Sequence, residues 1–170
     1  MNVTAFGPVN EASTYAMFTV TAASGDALTL ALGNTATTAD RDATLTSPMI
    51  EYSTDGTNWT TYTWTGSTGD RPTVPGGLGS GTGTVYVRVT ITSESDTAYE
   101  GAETFTLTAT SAANTSITDV DTATIIDDGT GSKYPGTITS GTPNSNTTGL
   151  DNDLSVNAVS YTHLTLPTKA

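Results

Sequence analysis

The sequence predicts an all-β protein, an antiparallel β-sandwich of seven strands with an inserted β-hairpin. Apolar residues alternate with Thr and Ser in several short runs, which is the period of half-buried strands. Thr and Gly are abundant while Lys, Glu, Gln and Leu are sparse, a composition that favours strands and turns over helices. The 170 residues are enough for one domain with a sizeable core.

The alternating runs give the order of the predicted strands. They cover residues 3–6, 16–22, 27–32, 72–74, 85–92, 104–110 and 122–126. The inserted hairpin covers residues 49–64, because two aromatic-rich runs flank Asp55-Gly56, a dipeptide typical of hairpin turns. The segment 53–59, STDGTNW, also resembles the Asp-box of sialidases but is one residue shorter. That box is a structural hairpin, so the similarity implies no activity.

Charge and composition exclude several classes of partner. The chain has 17 Asp+Glu against 5 Lys+Arg, and a net charge of -12 argues against binding to nucleic acid or anionic membranes. No apolar run is long enough for insertion into a bilayer. Cysteine is absent, which excludes disulfides and thiolate metal sites. High Thr, low Lys and the acidic balance favour a bacterial protein that is secreted or exposed at the cell surface.

Acidic residues follow alternate predicted strands. In an up-and-down antiparallel arrangement, the far ends of the first, third, fifth and seventh strands lie at one end of the sandwich. The acids at these four ends are Glu11, then Asp40 and Asp42, then Asp96 and Glu100, and finally Asp127 and Asp128. Crowded carboxylates repel one another unless a cation joins them. The pattern therefore predicts a metal site, with a solvated acidic end without an ion as the alternative.

Calcium is the cation that this donor set favours. Calcium takes about six to eight oxygen ligands, often from several loops, whereas magnesium keeps more of its water and is the second choice. Zinc would need Cys or His, and the single histidine, His163, lies near the C-terminus.

Three motifs carry a family resemblance. The segments VNEAS (9–13), DTAYEGAETFTL (96–107) and TATIIDD (122–128) resemble a Calx-beta domain, as found in repeats of large bacterial surface and secreted proteins. The resemblance implies an Ig-like seven-strand β-sandwich with calcium at one end. The residues that it implicates as metal ligands are Glu11, Asp96, Glu100, Asp127 and Asp128, with Asp40 or, by preference, Asp42 after the third strand. Ser95 stands where calcium-binding members have another acid, which predicts fewer ions or weaker binding.

The C-terminal part of the chain differs in composition. We predict a Calx-beta-like sandwich over residues 1–130 and a linker over 131–158, rich in Gly, Ser, Thr, Pro and Asn, that leads to a following repeat. Val156-Asn157 echoes Val9-Asn10, as expected for tandem repeats. Residues 159–170 begin VSYTHLTLPT, which resembles a translated sequencing adapter and is predicted to be non-native.

These observations predict a non-catalytic, calcium-binding structural or adhesive module that contacts neighbouring repeats of the same chain. One alternative is a carbohydrate-binding module that uses Trp59, Tyr62 and Trp64 to bind a glycan or other cell-surface ligand. Another is a purely structural Ig-like module without calcium. An enzyme is disfavoured, since Ser-His-Asp chemistry would need His163 and an open acidic end lacks a walled cleft.

Overall fold

Two β-sheets pack face to face in the computed structural model of the protein. The structure describes residues 1–33, 49–63, 66, 71–76, 81–91 and 101–152. Within these ranges there are eleven strands and no helix, and all but one of the strand pairings are antiparallel. The predicted all-β sandwich is therefore confirmed. None of the described residues form a helix long and apolar enough to cross a membrane.

The strands form a first sheet, a second sheet and a small separate hairpin. In chain order they are β1 (Asn2–Phe6), β2 (Val9–Asn10), β3 (Tyr15–Ala23), β4 (Leu28–Gly33), β5 (Ile50–Ser53), β6 (Thr60–Thr61), β7 (Thr82–Thr90), β8 (Glu103–Ser111), β9 (Thr118–Ile126), β10 (Ile138–Thr139) and β11 (Thr142–Pro143). The first sheet has the order β1-β3-β7-β5-β6, and the second has the order β2-β9-β8-β4. Strands β10 and β11 pair with each other. The pairing of β5 with β6 confirms the inserted hairpin.

The core lies between the two sheets because alternate residues of the long strands point inward. Its central side chains are Phe18, Val20, Val85, Val87, Val89, Phe105, Leu107 and Ala109, all of which are buried. The intervening positions, mostly Thr, face outward, as the period of two predicts. Phe18 of the first sheet meets Phe105 of the second edge to face, with ring centroids 5.8 Å apart. This contact joins the sheets at the centre of the core.

Two strand predictions require correction. The chain does not stop pairing after β1: it crosses at Gly7-Pro8 to the second sheet and forms β2, which the sequence pattern did not reveal because it is only two residues long. The predicted strand at 72–74 is not a strand, and only Thr73 bridges to Ala27. Pro72 has no N–H to donate to a ladder, but its carbonyl accepts a hydrogen bond from Leu28 N. This short segment therefore bonds the turn before β4, through Val74 with Gly25 and Asp26, and the start of β4.

Two aspartates join the sheets along an open edge. Strand β9 begins at Thr118, earlier than predicted, so Asp119 and Asp121 lie within it. Asp119 Oδ2 accepts a hydrogen bond from Val3 N at 2.7 Å, and Asp121 Oδ2 accepts one from Ala5 N at 2.8 Å. Strand β1 is the edge of the first sheet, so these N–H groups face away from its only strand partner. The carboxylates satisfy donors that would otherwise lack a partner in the sheet.

The described part of the predicted linker packs against the sandwich. We call residues 129–152 the strap. Ser132 forms a parallel bridge with Val9, and Ser13 Oγ accepts a hydrogen bond from Tyr134 N at 2.8 Å. Tyr134 is only 7% exposed. The small polar residues that suggested a free linker instead let the strap lie close to the strands, so residues 131–152 are a layer on the sandwich. The adapter-like residues 159–170 lie outside the described residues.

We expect Asp119→Ala to lower the free energy of unfolding by about 1–2 kcal/mol, because it leaves the N–H of the buried residue Val3 without its acceptor. Asp119→Asn retains an oxygen at the same position and should cost less. Chemical denaturation of both variants and the wild type measures the difference. Equal losses in the two variants would contradict the role of the acceptor.

Candidate metal site at one end of the sandwich

Strands β2, β4, β7 and β9 end, and β8 begins, at the same end of the sandwich. Strands β9 and β2 run parallel, and Ile125 near the end of β9 pairs with Glu103 at the start of β8. Strand β4 runs antiparallel to β8 and ends at Gly33, opposite Thr106. The end of β7 reaches the same place, since Ile91 N donates to Thr14 O just before β3. We call this end of the sandwich the rim.

Glu11 and Asp127 occupy neighbouring positions at the rim. Val9 pairs with Ile125 and Asn10 with Ile126, and the ladder continues because Glu11 N donates to Ile126 O at 2.9 Å. Glu11 and Asp127 are therefore the first residues beyond the paired ends of β2 and β9, and both are buried. The two acids therefore close the end of the core, where Glu11 is 7% and Asp127 is 2% exposed.

The chemistry of this pair fits a hard divalent cation. Neighbouring strands lie about 4.8 Å apart, so two carboxylates on adjacent strands are within reach of one ion. Like charges on neighbouring carboxylates repel, and burial of a charge is costly unless hydrogen bonds or a counter-ion compensate it. A cation bridging both groups would turn this repulsion into attraction. Among the described residues, these two carboxylates come from two chain segments, and Glu103, which pairs with Ile125 at the start of β8, is a third acidic residue at the rim.

Asp128 points away from Glu11 and Asp127. It is the next residue in an extended segment, so its side chain lies on the opposite face, where it is exposed. Its Oδ1 accepts hydrogen bonds from the hydroxyl and the backbone N–H of Thr130. These bonds hold the pKa of the Asp128 carboxyl below its usual range. The sequence analysis predicted both adjacent acids as metal ligands, but their roles differ. Asp127 is buried at the rim, whereas Asp128 shapes the first turn of the strap.

The other predicted ligands, Asp40, Asp42, Asp96 and Glu100, lie outside the described residues. The strands that precede them, β4 and β7, both end at the rim. Among the residues that the structure does describe, no group of three or more His, Cys, Asp or Glu side chains is arranged to hold a metal ion.

Asn10 is a rim residue that the sequence reasoning missed. It is fully buried, and its side-chain amide makes four hydrogen bonds. Nδ2 donates to Thr130 O and Asp151 O at 3.0 and 3.1 Å. Oδ1 accepts from Ala12 N at 3.0 Å and from Asp151 N at 2.8 Å. Asn10 belongs to the VNEAS motif, of which only Glu11 was predicted to have a role at the site.

The aromatic residues of the carbohydrate-binding alternative take part in packing. The Arg88 guanidinium lies 4.2 Å from the Trp59 ring centroid and 4.5 Å from that of Tyr15, a cation–π arrangement. Arg88 also forms an ion pair with Glu51 at 2.8 Å. Tyr62 Oη accepts a hydrogen bond from Leu30 N at 3.0 Å, and burial raises the pKa of this hydroxyl. Trp64 lies outside the described residues.

The Asp-box-like turn is held by one carboxylate. Asp55 Oδ1 accepts from Thr57 N and Asn58 N at 2.8 and 2.7 Å, and its Oδ2 accepts from Asn58 Nδ2 at 2.7 Å. Ser53 Oγ donates to Asp55 Oδ1 and accepts from Gly56 N. The three partner residues of Asp55 lie within 53–58, so the structure gives Asp55 a local structural role.

Comparison of the chain with protein-family models, with curated proteins and with solved structures finds no match.

We expect the Asp55 carboxyl to titrate well below the usual range of an aspartate, because the bonds from Asn58, Thr57 and Ser53 favour its charged form. A pKa lowered by folding stabilises the hairpin above the unfolded-state value near 3.8, and this contribution is lost as the pH falls through the folded-state pKa. Carbon-detected NMR titration of the Asp55 carboxyl measures this directly. A midpoint at or above the ordinary aspartate value would contradict the hydrogen-bond network.

Proposed function

We propose that this chain is a non-catalytic, calcium-binding structural module of the Calx-beta type, part of a large bacterial surface or secreted protein. The observation that carries the proposal is the placement of Glu11 beside Asp127, the two buried residues that directly follow the paired ends of β2 and β9 at the rim. Carboxylates in this arrangement supply hard oxygen ligands from two chain segments, as calcium sites do.

Two carboxylates do not complete a calcium shell, which needs about six to eight oxygens. Asp42, Asp96 and Glu100 are the proposed additional ligands, since each follows a strand that ends at the rim. Backbone carbonyls and water would supply the remainder. Asp128 is best assigned to the strap turn, because its carboxylate bonds Thr130 on the other face of the strand.

Calcium at the rim would act on the joint with the next module. The strap returns to the rim, where Asp151 bonds Asn10 and Asn152 bridges to Asp128. The described residues therefore end at the rim, where a joint with a following repeat would lie. A bound ion would neutralise the acids there and stiffen that joint. Extracellular calcium modules bind with dissociation constants of about 0.1–1 mM, a range suited to a chain that works at the cell surface.

Thermal unfolding in calcium and in chelator tests the proposal. A ligand that binds only the folded state at 100 times its Kd stabilises that state by about 2.7 kcal/mol, so calcium should raise the Tm of the wild type. Asp127→Asn should abolish this calcium-dependent rise, because it removes one of the paired charges. The Tm of each variant is compared between calcium and chelator, so that the effect of the substitution itself on stability cancels.

Asp128→Asn is the matched control, since it makes the same change one residue away on the opposite face. It should keep the calcium-dependent rise in Tm. Coincident melts of the wild type in calcium and in chelator would reject the proposed function. Equal loss of the response in both variants would contradict the assignment of Asp127 as the ligand.

A further inference from the structure

The strap leaves the rim, crosses the first sheet and returns to the rim. It begins beside β2, where Ser132 N donates to Pro8 O and Ser132 O accepts from Asn10 N, each at 3.0 Å. It then crosses the outer face of the first sheet, where Arg88 Nη1 donates to Gly136 O at 2.9 Å. The return run pairs with the outgoing run through mutual backbone bonds between Lys133 and Asn146. Both ends of the strap therefore lie at the same end of the sandwich.

Strand β2 lies between β9 and the strap. On one side, Val9 and Asn10 pair with the end of β9. On the other side, Val9 forms a parallel bridge with Ser132. Strand β2 is only two residues long, so each neighbour supplies a large share of the contacts that fix its position. Glu11 follows β2 directly, and its position depends on the same pairing.

Asn10 ties the two ends of the strap together. Its amide bonds Thr130 O near the outgoing end and both the N–H and the carbonyl of Asp151 at the returning end. Because Asn10 is fully buried, loss of these bonds would leave several polar groups unsatisfied. One residue of β2 thus closes the strap, and the next residue carries a carboxylate of the candidate metal site.

The close fit of the strap depends on glycine. Gly131 has a φ of +83°, and a Cβ placed there would lie 3.0 Å from Pro8 O and 3.1 Å from Asn10 N. Gly149, also in the strap, has a φ of +61°, but its nearest neighbour would be Lys133 Nζ at 3.8 Å. Alanine at either position strains the backbone. Only alanine at 131 also pushes the strap away from β2.

We propose that Asn10 is a positioning residue that latches the strap onto β2, and that closure of this latch and cation binding at Glu11 and Asp127 stabilise each other. The second part rests on the proposed function. A closed strap holds β2, and with it Glu11, in register with Asp127. A cation that joins Glu11 to Asp127 holds β2 where the strap can pair with it. Coupling between two binding events is reciprocal, so each should strengthen the other by the same factor.

Hydrogen–deuterium exchange of the full chain tests the latch without any substitution. The backbone N–H groups of Tyr134, Asn146 and Asp151 are hydrogen-bonded, so peptides covering 129–152 should exchange slowly even in chelator. Calcium should slow their exchange further. If peptides covering 129–152 exchange as fast as an unstructured peptide both in calcium and in chelator, the proposal that Asn10 holds the strap is overturned.

Variants then test the coupling. Asn10→Ala removes the latch directly but leaves buried groups unsatisfied, so Gly131→Ala provides a second disruption that leaves the Asn10 side chain in place. Gly149→Ala is the control for backbone strain alone. We expect Gly131→Ala to speed exchange of the strap and to weaken calcium binding about 5-fold or more by calorimetric titration, whereas Gly149→Ala keeps the wild-type affinity.

The outcomes separate the two proposals. Calcium binding with equal affinity in the wild type and in a Gly131→Ala chain with a fast-exchanging strap would overturn the coupling and leave the proposed function standing. An equal loss of affinity in Gly131→Ala and Gly149→Ala would also overturn it. If the wild type gives no heat of binding with calcium, both the proposed function and the coupling are overturned. Slow exchange of the strap in that case would still support the latch.

Discussion

The short parallel pairing of β2 with the end of β9 is the constraint on which the rim depends. It sets Glu11 beside Asp127 at the end of the core and places Asn10 where its amide bonds the strap. A shift of this pairing by one residue would move Glu11 away from Asp127 and Asn10 away from its partners in the strap. The core, the candidate metal site and the strap therefore meet at two adjacent residues.

Acidic residues of this chain serve two purposes that composition alone does not separate. Asp119 and Asp121 accept hydrogen bonds from the backbone of β1 and join the sheets, and Asp55 holds a hairpin turn. Glu51 pairs with Arg88, whose guanidinium contacts two aromatic rings beneath the strap. Glu11 and Asp127 differ from these, since they are neighbouring buried carboxylates at the end of the core. Among the described residues, acidic side chains thus supply both local structural bonds and a buried pair at the rim.

The long strands could be predicted because their Thr-rich alternation encodes burial on one face, as in β3, β7 and β8. The same strand order placed Glu11 and Asp127 at one end. Strand β2 could not be predicted, since two residues carry no periodicity. The strap was misjudged because its Gly, Ser and Asn residues are typical of linkers, while its attachment depends on partners far away in sequence, as Asn10 is from Asp151. The opposite orientations of Asp127 and Asp128 follow from the strand and not from the sequence motif.

The most direct measurement is a crystal structure of the chain grown with calcium, with anomalous diffraction data to locate the ion. The account predicts an anomalous peak at the rim with carboxylate oxygens of both Glu11 and Asp127 at about 2.3–2.6 Å from it. A rim without such a peak at saturating calcium would contradict the account, as would an ion bound only by Asp128 on the opposite face.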